Sequence, residues 1–171
     1  MMNTKTYLLF VSLVLICFSS FAQGITLEET RKLYTDATTT SAGCEKLYNK
    51  LSSVSETDNS VLRGYKGAVT LMMANYKKTT GDKIKFYNQG KKTLEKAIAD
   101  NNKDVELRFL RFTIQTNLPP SLKYNKDVTS DKDFIVNNIN TVKDTEVKKK
   151  IIDYMSDAEE TTDEDVEKLS K

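Results

Sequence analysis

The chain has 171 residues, 26 basic and 24 acidic, with no His, no Trp, two Cys and two Pro. This set provides no histidine base, no histidine metal ligand and no Ser/His/Asp triad, and two thiols make neither a disulfide framework nor a zinc–thiolate site. Six Gly and two Pro exclude a collagen, a linker and a turn-rich β sandwich.

Residues 1–22 have the three-part pattern of a secretory signal peptide. Lys5 gives a basic front, Tyr7 to Phe18 is apolar apart from Ser12, and Ser20 and Ala22 place small side chains before a cleavage point at Gln23. The apolar run of 12 residues is short of the ~20 that span a bilayer. Lipid attachment at Cys17 is the weaker alternative, because Ile16 stands where the peptidase requires a small residue. The ending Phe21-Ala22-Gln23 is similar to export signals of flavobacteria and their relatives. The whole chain resembles small exported helical proteins of that group, a likeness that supplies no active residues. The implied destination is the periplasm or the cell exterior. Cys44 is then the one remaining thiol, read as buried and inert rather than paired between chains.

In chain order, Thr26 and Glu29 have capping-box spacing and open a helix over residues 27–38. The Thr-rich stretch 38–41 breaks it, and Ser41 caps a second helix carrying Leu47, Leu51 and Val54. Asp58 or Asn59 caps a third, where Val61, Tyr65, Ala68, Val69, Met72, Met73 and Tyr76 recur at helical steps. Gly64 and Gly67 inside it imply close contact with a neighbouring helix. Residues 79–82 read as a turn, after which Ile84, Tyr87, Leu94 and Ile98 mark one face of a fourth helix. The segment 105–118 is ambiguous: Val105, Leu107 and Phe109 alternate like a strand, whereas Leu107, Leu110, Ile114 and Leu118 fit a helix. The helical reading prevails, and Pro119-Pro120 ends it. Two further helices start near Ser130 or Asp131 and near Asp144. Residues 161–171 are acidic, with Val166 and Leu169 compatible with either a short helical turn or fraying.

The pattern predicts an all-α domain over residues 23–160, followed by an acidic tail at 161–171. Gly90, Leu94 and Ala97, with a turn at Asn102 and then Leu107 and Leu110, resemble the second helix of a tetratricopeptide unit and the start of the next. This resemblance implies antiparallel hairpins stacked as an array, the alternative being an irregular bundle.

Asp100, Asn102, Asp104 and Glu106 alternate like the start of a calcium loop, but Val105 and Arg111 stand where Gly and a bidentate Glu belong. Carboxylate pairs such as Glu28 with Glu29 and Glu159 with Glu160 fall on polar faces, which argues against acid–base catalysis. Residues 77–96 carry a net charge of +5 and residues 156–171 one of −5, so the tail has a basic stretch it could cover. No cofactor, metal, nucleic-acid partner or stable membrane insertion is expected. The leading expectation is a non-enzymatic binding or scaffold module for a protein or peptide, with Arg108, Arg111, Tyr65 and Tyr87 as candidate contact residues. The alternative is a small-ligand carrier with an aromatic-lined pocket.

Overall fold

A computed structural model describes residues 24–171. The expected export segment, with Cys17, lies outside the described residues. Short polar side chains start most of the helices, because each satisfies backbone N–H groups that the first turn leaves open. Thr26 Oγ1 accepts from Glu29 N at the head of α1 (Leu27–Thr39). Thr40, rather than Ser41, caps α2 (Ser41–Lys50). Asn59 caps α3 (Ser60–Met73), and Thr79 caps α4 (Thr80–Asp100). Asp104 caps α5 (Val105–Asn117), and Asp144 caps α7 (Thr145–Asp157). No side chain caps α6 (Val128–Asn138). A full reciprocal capping box between Thr162 and Asp165 starts α8 (Asp163–Leu169). The described residues contain these eight α-helices, short 3₁₀ turns and no strand. None of the helices is long and apolar enough to cross a membrane.

Other expectations change as well. The turn at 79–82 is the first turn of α4, since Thr79 already accepts from Asp82 N. Ile84 leaves the apolar face and is 55% exposed. Thr26 and Glu29 form only half a capping box, because the Glu29 carboxylate accepts from Lys50 instead, at 2.8 Å.

Three pairs of consecutive helices, α1–α2, α3–α4 and α5–α6, run antiparallel. Lys50 meets Glu29 and Gly43 meets Asp36 across α1 and α2. Arg63 meets Asp100, and Gly67 meets Leu94, across α3 and α4. Arg111 meets Asp131, and Gln115 meets Asp127, between α5 and α6 or the turn before it. At the α3–α4 crossing each helix sets a glycine against the backbone of the other. A Cβ on Gly67 would lie 2.5 Å from Leu94 N, and one on Gly90 would lie 2.5 Å from Leu71 N.

Two apolar cores share α5. Leu47, Leu51, Val69, Leu94, Leu107 and Leu110 belong to the core among α1–α5. Phe112, Ile135, Ile139, Ile151, Met155 and Leu169 belong to the core among α5–α8. At 100° per residue, Leu107, Leu110 and Ile114 point one way and Val105 and Phe112 the other. That double burial is why the stretch alternates like a strand. Each fully buried large side chain contributes about 1.5–3 kcal/mol. Cys44 lies wholly inside the first core, where burial pushes its thiol up to about 11.

The acidic tail does not cover the basic stretch of α4. Its helix, α8, packs on α6 and α7, with Leu169 buried and Asp165 bound to Lys132 at 2.7 Å. The hydrogen bond from Lys132 holds the Asp165 carboxyl down at about 2, against an ordinary 3.8.

Adding a methyl at Gly67 or Gly90 pits overpacking of about 1–3 kcal/mol against a helix-propensity gain of about 1 kcal/mol. The opposing atoms are backbone, so overpacking dominates. Gly67→Ala and Gly90→Ala should each lower stability in urea by about 1–2 kcal/mol. Gly81→Ala, with only Thr79 Oγ1 near its Cβ at 3.9 Å, should leave stability equal or raise it. A depressed carboxyl contributes stability above its ordinary value and loses it as pH falls through its folded value. Docking of α8, followed through the Leu169 methyl resonances, should therefore hold above about pH 4 and weaken between pH 4 and pH 2. Asp165→Asn should remove that acid-sensitive component.

Candidate functional site

The residues singled out from the sequence do not form one site. Arg111 is only 5% exposed and grips the fully buried Asp131 with two bonds, from Nε at 2.7 Å and from Nη2 at 2.8 Å. Its Nη1 donates to Glu95 at 2.9 Å. Burial alone would lower its pKa, but the bonds to Asp131 and the charges of Glu95 and Asp127 hold it above the ordinary value. Arg108 donates to the same Asp131 at 2.9 Å and to Asn102 O at 3.1 Å, with its guanidinium over the Phe134 ring. The helix expected to start near Ser130 or Asp131 begins at Val128, which places Asp131 within its first turn, as the buried anion that both arginines require.

Tyr65 is buried, and its hydroxyl donates to Glu106 at 2.7 Å. Burial, with Glu106 beside it, drives its pKa well above the usual phenol range. Tyr87 is half-buried, edge-on to Tyr124, with its hydroxyl 3.3 Å from Leu122 O. The four residues thus lie at three internal contacts, the two arginines sharing Asp131.

The alternating acids before α5 are also engaged. Asp104 is the cap, Asp100 binds Arg63, and Glu106 accepts Arg31 Nε at 2.8 Å and Nη2 at 2.5 Å. Arg31 reaches Asp144 as well, at 3.0 Å, so one guanidinium fastens α1 to α5 and to the head of α7. The Glu106 bond is the main reason its pKa lies above the ordinary value.

A groove opens one helical turn beyond this clamp. It has a volume of about 550 Å³ and is walled by α1, the end of α3, α5 and α7. Tyr34, Phe109 and Tyr154 present rings, and Ala37, Leu71 and Ile114 form the apolar floor. Tyr34 is braced edge-on by Tyr65 at 4.9 Å, and Tyr154 by Phe109 at 5.4 Å. The Tyr154 hydroxyl accepts from Asn117 at 2.9 Å. Threonines, asparagines and Tyr76, which is 43% exposed, edge the opening. Among the described residues, Lys150 is the one charged residue in the lining and no carboxylate lines it. The groove so described can desolvate apolar matter.

A smaller concavity of about 240 Å³ lies on the other side of Arg31, among Glu28, Lys32, Asp144, Glu146 and Lys150. Glu28 is held below the usual carboxylate range by its hydrogen bond from Lys32, the reverse of what an acid catalyst needs. No cluster of three or more metal-ligating side chains occurs among the described residues.

The sequence offered an aromatic-lined pocket only as the alternative and named none of the groove's walls. The groove is a gap left between helices, and no spacing within one helix marks it.

Removing Arg111 would leave the buried Asp131 carboxylate with the single bond from Arg108 in place of three. Arg111→Ala should cost about 3–5 kcal/mol in urea unfolding. Arg108→Ala should cost distinctly less, because Arg111 still neutralises Asp131. Equal small losses for both would contradict this division of roles.

Comparison of the chain with protein-family models, with curated proteins and with solved structures gives no match.

Proposed function

We propose that the chain is an exported binding protein without chemistry of its own, and that its working surface is the groove between α1, α3, α5 and α7. Of the two occupants considered from the sequence, a small apolar ligand has the stronger support. The observation that carries this reading is the groove itself. Its volume of about 550 Å³ falls within the ~300–1,000 Å³ of small-molecule sites, and its apolar, ring-walled interior is typical of them. A protein or peptide partner is the second reading. It is favoured by Tyr76, 43% exposed at the rim, because tyrosines are enriched where proteins meet. Arg108 and Arg111 lend it less, since Asp131 already occupies both. The tetratricopeptide-like reading of the α4–α5 joint draws support from Gly90 against α3 and from buried Leu94 and Ala97.

The test is a neutral fluorescent probe, N-phenyl-1-naphthylamine, titrated into the protein. Saturable binding is expected. Thr38→Trp and Asn75→Trp each place a bulky ring at an exposed rim position and should weaken binding about ten-fold with the melting temperature unchanged. No saturable binding, or equal binding by both variants and the parent, rejects the groove as the working surface.

A further inference from the structure

The charges around the groove are unevenly satisfied. On α7, Lys148 donates to Asn140 at 2.7 Å and Lys149 pairs with Asp153 at 2.6 Å. On α1, Lys32 pairs with Glu28, and Arg31 is spent on Glu106 and Asp144. Lys150, between them, has no hydrogen bond or ion pair to any described residue, and it borders both the mouth of the apolar groove and the charged concavity that holds Glu28, Asp144 and Glu146. Tyr154, one turn further along the same face of α7, lines that groove with its ring. Glu146, one turn back, faces the charged concavity rather than the groove and forms no ion pair with any described residue.

An uncommitted cation at the edge of a carboxylate-free, ring-walled trough is complementary to a molecule with an apolar tail and an anionic head. Resting on the groove being the binding surface, we propose that its ligand is a single-chain amphiphile with a carboxylate head, the chain lying against Tyr34, Phe109 and Tyr154 and the carboxylate at Lys150. The tail gains from leaving water in proportion to its length, and the head stays at the solvated rim, so neither group is buried against its nature. The cavity has the volume of one small-molecule site, and a single free chain is therefore the occupant, rather than a two-chain lipid in a bilayer.

The test displaces N-phenyl-1-naphthylamine with three ligands of one tail length: dodecanoate, dodecanol and dodecyltrimethylammonium. Dodecanoate should bind about three- to ten-fold tighter than dodecanol, and the trimethylammonium compound most weakly. Each methylene removed from the carboxylate series should weaken binding roughly four-fold. Lys150→Gln should bring dodecanoate to the level of dodecanol and leave dodecanol unchanged. Lys149→Gln should change neither, and Glu146→Gln should preserve or raise the preference. The preference should shrink as salt is raised.

Equal affinities for dodecanoate and dodecanol, or a preference that survives Lys150→Gln, would overturn the head-group assignment while leaving the groove as a binding surface. Binding to anionic phospholipid vesicles without binding of free dodecanoate would overturn it in favour of a membrane surface. Failure of the neutral probe and of all three ligands to bind would overturn both this assignment and the groove.

Discussion

Before Asn117, every residue of α5 is buried or half-buried, so a helix of 13 residues has to satisfy neighbours on every side. Two of its faces are apolar and close the two cores. The other two carry charge, which inside a protein is tolerated only when paired and hydrogen-bonded. Glu106 on one side receives Arg31 and Tyr65, and Arg108 and Arg111 on the other converge on Asp131. The positions of α1, α4, α6 and α7 all follow from those obligations.

Buried pairs of this kind add little net stability against a well-packed apolar substitute, yet losing one member is expensive. Their effect here is geometric. Arg31 holds α1, α5 and the head of α7 together at one end, and Tyr154 with Phe109 and Asn117 links α5 to α7 further along. The groove walls are therefore held in place by contacts within the chain, which would reduce the ordering cost for the proposed ligand. The same clamp consumes the charges at its own level, leaving Lys150 as the cation beside the opening.

Much of the fold was legible because its signals are local. Thr26, Asn59, Asp104 and Asp144 stand directly before apolar stripes, and each caps the helix that follows. Gly67 announced a close neighbour, though only the structure identifies it as the backbone of Leu94. Errors arose where tertiary packing decided the outcome. Ile84 has helical spacing with Leu94, but the first turns of α4 extend past the core, so its side chain meets solvent. Arg108 and Arg111 were both singled out, but expecting α6 to start near Ser130 or Asp131 concealed the anion between them. The capping box at Thr162 and Asp165 was readable in the tail and would have settled its helix. The groove depends on how four helices diverge, and no single stretch of sequence records that.

The facing glycines of α3 and α4 also restrict how this protein can change. A crowded contact between side chains can be relieved by trimming the opposite one. At Gly67 and Gly90 the nearest obstacles include the main chain of Leu94 and Leu71, which no substitution shortens. A larger residue at either position therefore has no simple suppressor mutation across the interface. The hairpin can accommodate one only by re-siting both helices together, so the two positions should stay fixed while the exposed face of α4 drifts freely.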